Sequence, residues 1–210
     1  MNGLFLQLDD LGLCIEELSG TNKNENEGDK LNCPQLPESF QAPLLCQLDL
    51  NRIVSATEVR LPPLASLTGL VYVTLTGIPT SRYLPLNYLA SYLSLMPQLK
   101  HLDLEFYIPS DDIARGPINP LNVKQIPLPN LSGIFFQGDS SYLEGLAAQI
   151  TAPCITIFNV TFLDQPSSTL PHLLGLLTSA AGFRFPITCI KFPGTCVDDS
   201  NVTICMASLE

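Results

Sequence analysis

Apolar residues recur along this chain in the spacing L-x-x-L-x-L. The motif reads Leu45, Leu48, Leu50, then Leu70, Val73, Leu75, then Leu99, Leu102, Leu104. It returns as Leu131, Ile134, Phe136, as Ile155, Phe158, Val160 and as Ile187, Ile190, Phe192. The central anchors, residues 48, 73, 102, 134, 158 and 190, lie 25, 29, 32, 24 and 32 residues apart. Such a period fits one strand plus one return segment per unit. Most units open on a proline, at Ala42-Pro43, Met96-Pro97, Leu128-Pro129, Ala152-Pro153 and Phe185-Pro186. Proline is tolerated there because a missing amide costs least at a strand's first residue. A weaker unit is expected around Leu13 and Ile15, and one further strand, near Val202 to Met206, is expected to close the stack.

Between the strands the period changes to that of a helix. Asn87 to Met96 places Leu89, Leu93 and Met96 on one face behind Pro85. Ser141-Tyr142-Leu143-Glu144 reads as a capping box opening a helix with Leu143, Leu146, Ala147 and Ile150 on its inner face. Tyr142 is expected to pack in that first turn. Ser168 or Thr169 is the expected cap of a third helix, with Pro171 in its first turn, Leu173, Leu174 and Leu177 inside, and Gly182 as its stop.

A strand-helix unit cannot bury its apolar face alone, so neighbouring units stack. The expected fold is therefore α/β: a leucine-rich-repeat solenoid with a curved parallel sheet on the concave side and short helices on the convex side. One domain is expected over residues 1–210, with residues 1–35 as an N-terminal cap or partial repeat. Leu4 to Leu18 should cover the first unit. Two segments read as loops: polar Ser19 to Asp29, and Tyr107 to Leu128, which holds Pro109, Pro117, Pro120 and Pro127. The second is long enough to be a functional loop in its own right.

Composition narrows the function. Hydrophobic residues make up 46% of the 210 and charged residues 14%, so a sizeable core is available. Ten Lys and Arg against 20 Asp and Glu give a net charge of -10. That charge disfavours nucleic acid and anionic membrane and suits a basic protein partner. The seven cysteines form no CxxC pair and read as buried reduced thiols, and no secretory signal is evident, so a cytoplasmic or nuclear setting is expected. The sequons at Asn130, Asn159 and Asn201 read as chance in that setting.

Side chains alternate across a strand, so if the anchors point inward their neighbours point outward. The outward set is Gln47, Asp49, Asn51; Tyr72, Thr74, Thr76; His101, Asp103, Glu105; Gly133, Phe135, Gln137; Ile157, Asn159, Thr161; and Cys189, Lys191. Asp49, Tyr72, Thr74, His101, Asp103, Glu105, Phe135, Gln137, Ile157 and Asn159 are the candidate protein-binding residues. Their acidic and apolar parts suit a peptide with basic and hydrophobic residues. His101 and Asp103 share a strand face, but the other histidine, His172, belongs to a helix on the opposite side. Neither a metal set nor a hydrolytic triad assembles from them, and no P-loop or GxGxxG is present. No cofactor, metal or catalytic residue is expected.

Four stretches carry a resemblance: LPESFQAPLLCQLDLNRI (36–53), LPPLASLTGLVYVTLTGIPTSRYLPLNYLASYLSLMPQLKHLDLEF (61–106), SYLEGLAAQITAPCITIFNVTF (141–162) and FPGTCVDDSNVTI (192–204). Together they resemble the leucine-rich-repeat region of F-box proteins from mushroom-forming fungi. The resemblance implies an intracellular substrate receptor of a ubiquitin ligase. The chain departs from that family in two ways. No F-box helices are seen ahead of Leu36, and the Pro-rich loop carries only Arg115 and Lys124 as basic residues. Ligase docking is thus expected only where an F-box lies in a longer parent chain. A protein-interaction module is the leading reading. A truncated or degenerate repeat fragment with a structural role only is the alternative.

Overall fold

A computed structural model describes residues 9–14, 42–51, 68–79, 84–107, 125–163, 170–180, 187–191 and 202–207. The arrangement is α/β, with an eight-stranded sheet whose strands β1 to β4, β6 and β8 run parallel. In chain order the elements are β1 (Asp10–Cys14), β2 (Gln47–Asn51), β3 (Tyr72–Pro79), α1 (Leu86–Leu93), β4 (His101–Tyr107), β5 (Ile126–Pro127) and β6 (Gly133–Gly138). They continue as α2 (Ser140–Ala147), β7 (Ile150–Thr151), β8 (Ile157–Phe162), α3 (Pro171–Ser179), β9 (Ile187–Lys191) and β10 (Val202–Ala207). The order across the large sheet is β1-β2-β3-β4-β6-β8-β10-β9.

The anchors Leu48, Val73, Leu102, Ile134 and Phe158 stand side by side in register, and all five are buried. Leu50, Leu75, Leu104, Phe136 and Val160 form the next buried row. Each segment enters its strand the same way. The carbonyls of Asp9, Cys46, Val71, Lys100 and Ser132 each accept two amides from the following segment, at 2.7–3.1 Å. Just before three of these strands the chain makes one turn, with Leu45, Leu99 and Leu131 donating to the carbonyls of Ala42, Met96 and Leu128. Pro43, Pro97 and Pro129 follow those carbonyls, at the turn position whose φ proline presets.

One bulge shifts the pattern. Thr76 and Gly77 stand between Leu75 and Ile78, while on β4 only Glu105 separates their partners Leu104 and Phe106. Gly77 takes φ 64°, a conformation that favours glycine. The extra residue brings Ile78 inward, where it is buried beside Phe106.

The helices cover the buried face. Tyr142 packs its ring on Phe106 and Phe136, at 5.1 and 6.3 Å between centroids, and donates its hydroxyl to the Leu84 carbonyl at 2.9 Å. First-turn packing is thus its role. Leu89 and Leu93 of α1 and Leu143 and Leu146 of α2 join the same core. Met96 and Ile150 are buried as expected but lie past the helix ends, in a turn and in β7.

Several expectations are corrected. The Ile190 strand does not lie beside the Phe158 strand: β10 runs between them, antiparallel to both. Val202, Ile204 and Met206 fall at the register positions of Phe162, Val160 and Phe158, so β10 continues the apolar period next to β8 instead of closing the stack. The Ser141 capping box does not form. Helix α2 starts at Ser140 with Asp139 before it, and Glu144 serves α3 instead. Helix α3 begins after Leu170, has Pro171 in its first turn as expected, and buries Leu176 where Leu174 was expected. Leu174 is 61% exposed. The Pro-rich loop is shorter than expected, because Ile126 and Pro127 pair with Ile150 and Thr151. The amides used there belong to Ile126 and Leu128, so Pro127 forfeits nothing. The buried-thiol expectation fails at Cys154, which is exposed, and at Cys46, which is half-buried; both are free.

At the N-terminal edge, β1 pairs with β2, placing Leu11 and Leu13 opposite Leu48 and Leu50. The rest of the Leu4–Leu18 cap, Ile15, the Ser19–Asp29 loop, Ser168, Thr169 and Gly182 lie outside the described residues. No helix among the described residues is long and apolar enough to cross a membrane.

Candidate protein-binding face

The intervening residues line the face of the sheet opposite the helices, in three rows set by the register. The first row runs Gln47, Tyr72, His101, Gly133, Ile157. The second runs Asp49, Thr74, Asp103, Phe135, Asn159, and in the third Glu105, Gln137 and Thr161 are neighbours. Asn51 and Thr76 begin that third row on β2 and β3. Cys189 and Lys191 stand on β9, at the register of Cys205 and Thr203.

Tyr72 and Ile157 are 43% and 38% exposed, so the described elements leave the first row open to solvent. The Tyr72 and His101 rings stack flat, with centroids 4.8 Å apart and planes 1° from parallel. Gly133 is buried, which corrects its place among the outward contacts. A Cβ at Gly133 would come 2.5 Å from His101 Nδ1, so the imidazole occupies the space that a side chain there would need. The absent side chain thus leaves room for the His101 ring, which stacks on Tyr72 of the strand on its other side. Burial, and then the Lys100 charge, lower the His101 pKa below its ordinary value.

The acidic and apolar parts of the face adjoin one another. Asp103 and Phe135 are register partners on neighbouring strands, as are Glu105 and Gln137. With Phe136, Asn159 and Thr161 they line a shallow hollow of about 190 Å³. Gln137 is held by its side-chain amide, which donates to the Phe106 carbonyl at 3.3 Å. Burial raises the Asp103 pKa, and the Glu105 and Asp49 carboxylates raise it further. Asp49 stands two strands away, with Thr74 between.

The alternation rule thus finds the face, while Phe136 at the hollow and the covered Gly133 escape it. Phe136 is an anchor by its period, and the cover over Gly133 depends on the rotamer of a neighbouring strand's residue. Among the described residues no three His, Cys, Asp or Glu come together as a metal site. His101 stacks on Tyr72, and His172 is an exposed residue of α3. Compared with protein-family models, curated proteins and solved structures, the chain matches none.

Proposed function

We propose that this chain is a protein-interaction module, a leucine-rich-repeat solenoid whose open sheet face receives a partner protein. The observation that carries this reading is the open face itself. Parallel sheets are ordinarily covered on both sides, yet here Tyr72 and Ile157 stand exposed beside half-buried Phe135 and Asp103. Exposed aromatic and aliphatic side chains rimmed by carboxylates have the make-up of a recognition surface. The repeated turns and paired amide bonds at the start of each strand support the solenoid. On this reading the stacked His101 and the carboxylates of Asp103 and Glu105 serve as contacts for a partner, not as catalytic groups. The resemblance to F-box proteins supplies the narrower reading, a substrate receptor that meets a ligase only through an F-box in a longer parent chain.

A bait experiment tests the module. The parent chain, a face variant carrying Tyr72→Ala, Phe135→Ala and Ile157→Ala, and a helix-side control carrying Tyr88→Ala and Leu174→Ala are compared by quantitative mass spectrometry. At least one protein should be captured by the parent and the control and lost from the face variant. Identical captures by all three would overturn the proposal.

A further inference from the structure

The hollow between β4, β6 and β8 has a chemistry more specific than an open face requires. One wall is the half-buried Phe135 ring, and the other is Asp103 and Glu105, two apart on one strand and on one face. Gln137, the register partner of Glu105, lines the hollow too, its side-chain amide nitrogen donating to the Phe106 carbonyl, and Asn159 and Thr161 line it from β8. The Glu105 and Asp49 carboxylates both act on Asp103, whose site is partly withdrawn from water. Carboxylates held together in this way favour an incoming cation, which relieves their mutual repulsion. The chain's net charge of -10 acts in the same direction at longer range.

We propose that this hollow is a subsite for an arginine side chain of the partner, with its guanidinium lying against Phe135 and donating to Asp103 and Glu105. The inference rests on the reading of the sheet face as a protein-binding surface and names the chemistry it selects. Arginine fits better than lysine for three reasons. Its planar head stacks on an aromatic face, its forked donors reach two carboxylates at once, and its weak hydration lowers the cost of entering a half-buried site. A compact divalent ion is disfavoured, since such ions want six or more oxygen ligands and no three candidate ligands cluster among the described residues.

The test uses the full chain, labelled for amide-resolved NMR, titrated with acetyl-arginine-amide and with its neutral isostere acetyl-citrulline-amide. The arginine probe should produce saturable shifts centred on Phe135, Gln137 and Asn159. Citrulline should bind at least about tenfold more weakly, because the charge-assisted bonds are gone. Asp103→Asn with Glu105→Gln should remove the arginine response, while Tyr88→Ala on the helix side should leave it intact. No saturable shift, or equal shifts with both probes, would overturn the subsite. The two proposals fail separately. If the face variant loses a captured partner but the arginine probe gives no shift, the module stands and the arginine subsite falls. If the probe binds but no partner depends on the face, the hollow recognises arginine and the module reading falls.

Discussion

The Glu144 carboxylate of α2 accepts the backbone amide of His172 at 2.7 Å, and its other oxygen accepts that of Leu173 at 3.0 Å. Pro171 opens α3 without an amide, so His172 and Leu173 carry the first free donors of that helix. A residue of one helix therefore caps the next, which ties α2 to α3. Glu144→Ala should cost about 1–2 kcal/mol, the range for losing a cap with charge-assisted bonds. Hydrogen exchange at His172 and Leu173 should quicken more than at Leu143. Unchanged stability and exchange would mean that the carboxylate contributes nothing to α3.

Leu102 is fully buried at the centre of the anchor row, while Asp103, one residue on, faces the opposite side of the sheet. Leu102→Ala should cost about 2–5 kcal/mol, as core truncations do. Asp103→Ala should shift stability by less than roughly 1 kcal/mol. A denaturant titration giving equal losses would refute the assignment of inside and outside.

How much of this was legible in the sequence follows from what each pattern depends on. Five anchors, from Leu48 to Phe158, fall in the expected parallel order because a period-2 apolar strand has one face to bury and one register that buries it. The sixth strand failed at that level. Both Ile187–Lys191 and Val202–Ala207 carry strand patterns, and nothing in either says which lies next to β8. Helix termini differ from the sequence pattern for a related reason. The spacing of Ser141 and Glu144 suits a capping box, but the carboxylate finds better donors on α3, a contact between residues 28 apart. The outward list came from alternation alone, which places Gly133 correctly in register but cannot show that His101 lies over it.

Two glycines should answer differently to an added methyl group. At Gly138 a Cβ would lie 2.8 Å from Phe136 Cζ and 2.9 Å from Phe106 Cδ2, ring atoms in the packed core. Gly138→Ala should cost about 1–3 kcal/mol through overpacking. At Gly133 the obstacle is the His101 imidazole, a side chain that can turn outward. Gly133→Ala should cost less than Gly138→Ala and should break the Tyr72–His101 stack, seen as a changed ring-current shift of the His101 protons. The reverse order of stabilities would contradict this placement of the rings.

Asp103 gives the face a pH signature. Burial, then Glu105, then Asp49 raise its folded pKa above the unfolded value, so the native state holds this proton more tightly. This group therefore adds stability as pH falls through the raised pKa and withdraws it as pH rises. His101 acts in the opposite sense. Its lowered pKa means that stability from neutral His101 is lost as pH falls below the ordinary histidine range. Comparing Asp103→Asn with the parent isolates the carboxyl. The variant should melt slightly higher at pH 7, by a small margin because the site is partly solvated. The two should converge as pH falls through the raised pKa of the parent's carboxyl. A variant that melts lower at pH 7, or a gap that widens on acidification, would contradict the charge arrangement.

The central claim, that the sheet face receives a partner, is tested most directly by the kinetics of binding to a protein captured through that face, using surface plasmon resonance. Rim charges steer encounter and are screened over about 8–10 Å. Asp103→Lys with Glu105→Lys should therefore slow association and flatten its salt dependence, and should also speed dissociation because the same carboxylates bond the partner's arginine. Aromatic hot spots are often worth 2 kcal/mol or more, so Phe135→Ala should speed dissociation by about 30-fold with the fold intact. If both variants associate and dissociate like the parent, the sheet face is not the binding site.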